Sequence, residues 1–269
     1  MKNSIKLEPL KHLGQNFLMD SEITDRIVYS IGNFKNSIVL EIGPGIGALT
    51  KAILKIGKPK HVIVVEKDVR LIPALHKLQA ESNGILTVLH DDALLIDESV
   101  LINKVRKFGE EIRIVANLPY NIGTELLFKW LNNIELFSSL TIMLQKEVAQ
   151  RITATPHSSN YGWISIISQL LTEAEVLIDV PPEAFWPQPK VYSSVIHLVP
   201  KTAIPVDLNM DKLRCLCKLL FNKRRKMIKK NLEGPYEHII AQLQNIGINA
   251  NARAEELSIG QLCKLAALL

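Results

Sequence analysis

The chain has 269 residues, 47% of them apolar and 22% charged, with a formal net charge of +5; this length suits one large domain, or a main domain plus a small one. No apolar run reaches membrane-spanning length, and the opening MKNSIKLEPLKH lacks the apolar centre of a signal peptide, so the expected compartment is the cytoplasm. Three cysteines without Cys-x-x-Cys spacing and seven scattered histidines point away from a structural metal, and all three thiols are expected to be buried or inert.

From Ser37 to about Pro200, short apolar runs alternate with helix-period segments. The runs are SIVLEIG, HVIVVEKD, ILTVLHDD, IRIVANLPY, LTIML, VLID and SSVIHLV. Between the first five lie ALTKAILKIG, VRLIPALHKLQAE, ESVLINKVRKF and TELLFKWLNN, all with helical periodicity. Continuous apolar strands separated by helices predict a mostly parallel sheet covered on both faces. The last two runs are joined by PPEAFWPQPK instead of a helix, which predicts that they pair antiparallel. The expected fold is α/β, a Rossmann-like open sheet of seven strands.

PKTAIPVDLNMD then marks a boundary, dividing the chain into residues 1–205 and a small helical domain at 206–269. The predicted helices there are DKLRCLCKLLFNKRRKMIKKNL, YEHIIAQLQNIG and SIGQLCKLAALL, with Gly234-Pro235 between the first two. Ser258 and Gln261 have capping-box spacing, in which each satisfies an unpaired backbone donor at a helix start.

The first strand runs into EIGPGIGALT. Gly43 and Gly45 let the backbone turn tightly and approach a ligand closely, and the following helix directs its positive end at that ligand. Glu66 ends the second strand, where a carboxylate accepts from both hydroxyls of a ribose. Taken alone, these features serve a nicotinamide dinucleotide equally well, since Gly43, Gly45 and Ala48 satisfy that fingerprint too. Glu41 ahead of the loop and Gly47 completing it favour S-adenosylmethionine. So does Asp92, which ends the third strand in HDDAL where an acceptor could hold an adenine amine; Asp91 beside it points to the opposite face.

Strand four delivers Asn117-Leu118-Pro119-Tyr120 to the same carboxyl edge. With QNFL, EIGPGIGALT, VVEKD, DDAL, NLPYNIGT, MLQKEVAQRI, YGWISI, PPEAFWPQPKVYSS and FNKRRK in order, the chain resembles the rRNA adenine dimethyltransferases over nearly its whole length, most of all their small-subunit branch. That resemblance implies a class I methyltransferase fold and an S-adenosylmethionine-dependent activity. It places two methyl groups on the amine of each of two adjacent adenosines near the 3′ end of 16S rRNA, in the immature small ribosomal subunit. The catalytic set it implies is Asn117, Leu118, Pro119 and Tyr120, with Phe185 as a second aromatic closing over the base. Gln15 and Asn16 would orient the methionine part of the cofactor while Phe17 and Leu18 exclude water.

The chemistry explains the residue types. An adenine amine is a weak nucleophile, and positive charge grows on its nitrogen as it attacks a sulfonium methyl. Acceptors fixed around that nitrogen before reaction are therefore required. The Asn117 side-chain oxygen and the Leu118 carbonyl supply them, Pro119 restricts Leu118 to extended backbone, and Tyr120 offers a stacking face.

From Lys212 to Lys230 every charged residue is positive, and Lys223-Arg224-Arg225-Lys226 is dense enough to suggest an RNA phosphate contact. Trp163 and Tyr192 stand where the family usually carries other residues. The expected partner is rRNA and the expected state a monomer, with neither membrane nor metal. Three other readings remain: a 23S rRNA methylase of the macrolide-resistance type, a ribosome-assembly factor without catalysis, and a nicotinamide dehydrogenase.

Overall fold

The run Ser37–Ile42 is buried along its whole length, as a strand must be when helices cover both faces of its sheet. It is one of nine strands in the computed structural model, which describes residues 8–107, 109–202, 208–234 and 236–269. The opening MKNSIKL, the expected boundary at 205/206 and Pro235 lie outside the described residues.

The strands are β1 (Phe17–Leu18), β2 (Ser37–Ile42), β3 (His61–Glu66), β4 (Leu86–His90), β5 (Glu111–Asn117), β6 (Ser139–Gln145), β7 (Thr172–Val180), β8 (Phe185–Trp186) and β9 (Ser193–Pro200). Seven form one sheet in the order β4-β3-β2-β5-β6-β9-β7. β2 pairs parallel with β3 and β5, β3 with β4, and β5 with β6, whereas β9 runs antiparallel to β6. The sheet is thus seven-stranded and mostly parallel, as expected. SSVIHLV and VLID are hydrogen-bonded neighbours in the sheet, as expected, and SSVIHLV also lies between VLID and LTIML, running antiparallel to LTIML. Val39, Leu40, Val62, Val64 and Ile114 are fully buried in the sheet's centre. Each contributes roughly 1.5–3 kcal/mol by leaving water.

The helices of this part are α1 (Ser21–Ile31), α2 (Ala48–Ala52), α3 (Ile72–Glu81), α4 (Glu98–Val105), α5 (Gly123–Leu131) and the first turn of α6 (Lys146–Ile152). Asp20 caps α1 by accepting from the amides of Glu22 and Ile23, and Asp97 caps α4 in the same way. A separate two-stranded ribbon joins β1 to β8, antiparallel, with Phe17 opposite Trp186 and Leu18 opposite Phe185.

The chain divides into two compact units. One takes the chain up to Ala149 together with Ala174–Pro200; the other comprises Gln150–Glu173 and Lys201–Leu269. The second unit therefore recruits a segment from well inside the 1–205 range. It contains α7 (Trp163–Leu171), α8 (Met210–Asn222), α9 (Ile228–Leu232), α10 (Glu237–Ile240) and α11 (Ile259–Ala267). Tyr161 meets Phe221 edge-on, with ring centroids 6.3 Å apart. The Ser258 hydroxyl accepts from the Gln261 amide while the Gln261 carbonyl oxygen accepts from the Ser258 amide, so the capping box forms.

Three expectations need correction here. The long helix from Asp211 to Leu232 is two helices, since α8 stops at Asn222 and α9 starts at Ile228. Four successive cations repel one another within a helix, and here the intervening residues turn instead, with the Lys226 amide bonded to the Lys223 carbonyl at 2.8 Å. YEHIIAQLQNIG is a short helix and a 3-10 turn rather than one helix. Cys215 is exposed, not buried, while Cys217 is buried and Cys263 partly so. Among the described residues no helix is long and apolar enough to cross a membrane, and no group of His, Cys, Asp or Glu is placed to hold a metal.

Candidate active site

Parallel strands end together at one edge, and three of them carry the expected site residues there. Past β2, Gly43 and Gly45 turn the chain with φ of +65° and +57°. A side chain at Gly45 would come within 2.9 Å of the Phe17 ring, so glycine is required both for the backbone angle and for the fit. β3 ends at Glu66, which is 6% exposed and accepts from the Gly45 amide at 3.1 Å and the Asp68 amide at 2.8 Å. Its pKa is raised, chiefly by burial, and those two amides oppose the rise. β5 ends at Asn117, from which the chain enters Leu118-Pro119-Tyr120.

These residues share one cavity. Its walls include Gln15, Asn16, Phe17, Leu18, Gly43, Gly45, Glu66, Asp92, Asn117, Leu118, Pro119 and Tyr120. Phe185 is not among them. Adjacent strand residues point to opposite faces, so in β8 Phe185 turns inward to a 4%-exposed place in the apolar core with Leu18, while Trp186 turns outward. Lys223, Arg224, Arg225 and Lys226 belong to the second unit.

Several residues act through others. The Asn117 Nδ2 donates to the Asn16 main-chain carbonyl at 3.2 Å, which leaves Oδ1 as the acceptor of that amide. Gln15 has both ends of its amide engaged, accepting from the Leu10 amide at 2.8 Å and donating to Asp68 Oδ2 at 2.8 Å. It thereby ties the N-terminal segment to the end of β3. Arg70 beside Asp68, with Gln15 adding a donor, lowers the Asp68 carboxyl to about 2. The Tyr120 hydroxyl shares a 2.6 Å hydrogen bond with Ser193 Oγ, which fixes the ring. Asp92 is held in its ionised form by Lys67, whose Nζ lies 2.6 Å from Oδ2.

Lys67, Asp68 and Ser193 were not singled out from the sequence. Asp68 lies in VVEKD, two residues past Glu66, where its carboxylate closes a turn onto the Arg70 amide. Nothing in PKVYSS marks Ser193, because its partner is 73 residues away.

Glu41 lines the cavity at 1% exposure, and its Oε2 has no hydrogen-bond partner. Burial raises its pKa to about 8. An orphaned carboxyl oxygen, the paired acceptors of Glu66 and a side-chain-free glycine turn fit a ligand carrying amine and hydroxyl donors and a positive charge.

The sheet order, the glycine turn after β2 and the acids ending β3 and following β4 define a Rossmann-like class I methyltransferase. A match to the family described as ribosomal RNA adenine dimethylase spans residues 9–269, and the chain belongs to that family. It is 43% identical over 266 residues to a ribosomal RNA small subunit methyltransferase A of Ehrlichia ruminantium (strain Gardel), covering 99% of each chain. The identity is also 43% to the protein of that name from Wolbachia sp. subsp. Drosophila simulans (strain wRi), covering 97% of this chain and 93% of that one. A dimethyladenosine transferase from Plasmodium falciparum superposes with a TM-score of 0.79 at 26% identity, covering 93% of this chain and 95% of that one. The 23S rRNA methyltransferase ErmE shares the fold, with a TM-score of 0.68 at 24% identity over 94% and 99% of the two chains.

Proposed function

We propose that this chain uses S-adenosylmethionine to dimethylate the amines of two adjacent adenosines near the 3′ end of 16S rRNA in the immature small subunit, as a step in ribosome biogenesis. The observation that carries the reading is Asn117, whose amide is anchored through Nδ2 and so presents Oδ1 as an acceptor in the cavity wall.

S-adenosylmethionine, when bound, supplies a methyl group made electrophilic by its sulfonium. Glu66 accepts from the ribose, Asp92 from the adenine amine, and Gly43 and Gly45 leave room for the backbone to approach. Glu41 would hold the positive charge of the methionine part, and Gln15 and Asn16 act by holding Asp68 and Asn117 in place. Phe17 and Leu18, 6% and 4% exposed, keep water from the site.

The target adenine stacks on Tyr120, and its amine lies against Asn117 Oδ1 and the Leu118 carbonyl. As positive charge develops on that nitrogen, the two fixed dipoles stabilise it without reorganising. Pro119 has no N–H to compete for the carbonyl and keeps Leu118 extended. No general base is required, because a methylated ammonium readily loses its proton to water. Phe185 supports the wall from behind through Leu18. Lys223, Arg225 and Lys226 contact rRNA phosphates from the second unit.

Mapping labelled methyl groups after incubation with immature small subunits tests the reading. Two adjacent dimethylated adenosines near the 3′ end are expected. Methylation confined to large-subunit rRNA would reassign the chain to the 23S type, and no transfer at all would leave an assembly factor.

A further inference from the structure

The segment from Trp186 to Tyr192 joins β8 to β9 and is tied at each end to a residue that lines the cavity. At one end, Trp186 lies opposite Phe17 across the two-stranded ribbon, with ring centroids 6.3 Å apart and planes inclined by 20°. Phe17 lines the cavity. At the other end, Tyr192 precedes Ser193, which holds the hydroxyl of the cavity residue Tyr120. Trp186 is 48% exposed and Tyr192 51%, so both present aromatic surface to solvent. Cations accompany them: Lys146 Nζ lies 5.7 Å from the Tyr192 ring centroid, and Lys190 is exposed.

We propose that this segment is a stacking platform for a nucleobase flanking the target adenosine, with the outer face of the Trp186 indole as the stacking surface. The proposal rests on the rRNA reading of the cavity. A base entering the cavity leaves its neighbours splayed at the mouth, where each has an unstacked face to cover. One face of the indole is already occupied by Phe17, so the ring is oriented before a base arrives. Stacking of this kind tolerates any base, and exposed Lys190 suits a connecting phosphate, whereas Lys146 is paired with Asp179 at 2.6 Å. Trp186 is therefore a positioning residue for the strand, not part of the reacting centre.

The test uses the full chain and two single-stranded oligoribonucleotides of equal length, one of adenosines and one abasic. Trp130 is buried with its indole N–H bonded to Glu98, and wild type and Trp186→Phe both keep Trp130 and Trp163, so the difference between them isolates the signal of Trp186. The adenosine strand is expected to quench wild-type fluorescence, the abasic strand to leave it unchanged, and Trp186→Phe to lack the quench. On small subunits, Trp186→Ala should lower kcat/KM by about 10-fold through KM, Trp186→Phe should recover most of it, and cofactor affinity should not move. Equal quenching by both strands, or none, overturns the platform. A loss of cofactor affinity as the only effect of Trp186→Ala overturns it too, leaving the indole as a seal over Phe17. Absence of methyl transfer by the wild type would instead remove the rRNA reading, while the oligonucleotide comparison still decides the stacking.

Discussion

Asn117 has the nitrogen of its amide bonded to the Asn16 carbonyl and the oxygen left as an acceptor at the cavity wall. Asn117→Ala is expected to lower turnover by about 10²-fold or more, the size found for one preorganised polar group, while most cofactor affinity persists. Single-turnover kinetics alongside a cofactor titration check this, and wild-type turnover would remove Asn117 from the mechanism. Glu41 supports a second prediction. Its folded pKa of about 8 lies above the ordinary 4.5, so the ligand-free protein holds it protonated at neutral pH. The cost of ionising it grows as pH rises from about 4.5 and levels off beyond about 8, so the stability it permits at low pH is lost across that window. Glu41→Gln should remove this slope from denaturant unfolding. A cation bound beside Glu41 favours the carboxylate, so S-adenosylmethionine binding near pH 7 should release protons in wild type and fewer in Glu41→Gln, read by calorimetry in buffers of different ionisation enthalpy.

The turn at residues 223–227 separates side chains that look alike in sequence. Arg224 donates to the Glu255 carboxylate and to the Ser158 and Ser159 carbonyls, so its guanidinium clasps the second unit internally. Arg225, Lys226, Lys230 and Arg253 instead line one open cleft. Arg224→Ala should lower stability by about 1–2 kcal/mol in urea unfolding, the scale of a part-exposed charged hydrogen-bond set. Arg225→Ala should leave stability nearly unchanged and reduce the slope of log affinity for rRNA against log salt by about one. The reverse pattern would exchange the two roles. This distinction was hidden in FNKRRK, because the partners of Arg224 lie 31 to 66 residues away. The placement of the glycine turn, Glu66 and Asn117 at one cavity was legible for the opposite reason: each announces itself by local backbone demands or by its place at a strand end. Phe185 was misleading, since only its pairing with Leu18 shows which way its ring faces.

Over the whole molecule, alternation of apolar runs with helical segments was enough to read a mostly parallel seven-stranded sheet. Strand order was not, because parallel neighbours are chosen by long-range packing rather than by local pattern. The units are likewise discontinuous: Gln150–Glu173 joins the C-terminal segment, and buried Tyr161, Ile166 and Ile167 belong to it. A chain truncated after residue 205 should therefore leave those side chains without their partners in 208–269. Increased dye binding to exposed apolar surface and a lower unfolding temperature than the full chain are expected. A truncated protein as stable as the intact one would show that 150–173 needs no such partners.

The placement of β9 between β6 and β7 has a temporal consequence. A chain emerging from its exit tunnel can lay down β2 to β6 from early contacts, but the slot beside β6 stays open until residues 193–200 arrive. Until then the backbone donors and acceptors of β6 on that side have no strand to meet, and the tyrosine at the cavity has no serine to hold it. Completion of the sheet and immobilisation of Tyr120 are thus one late event in biosynthesis, reached only when nearly three-quarters of the chain has emerged.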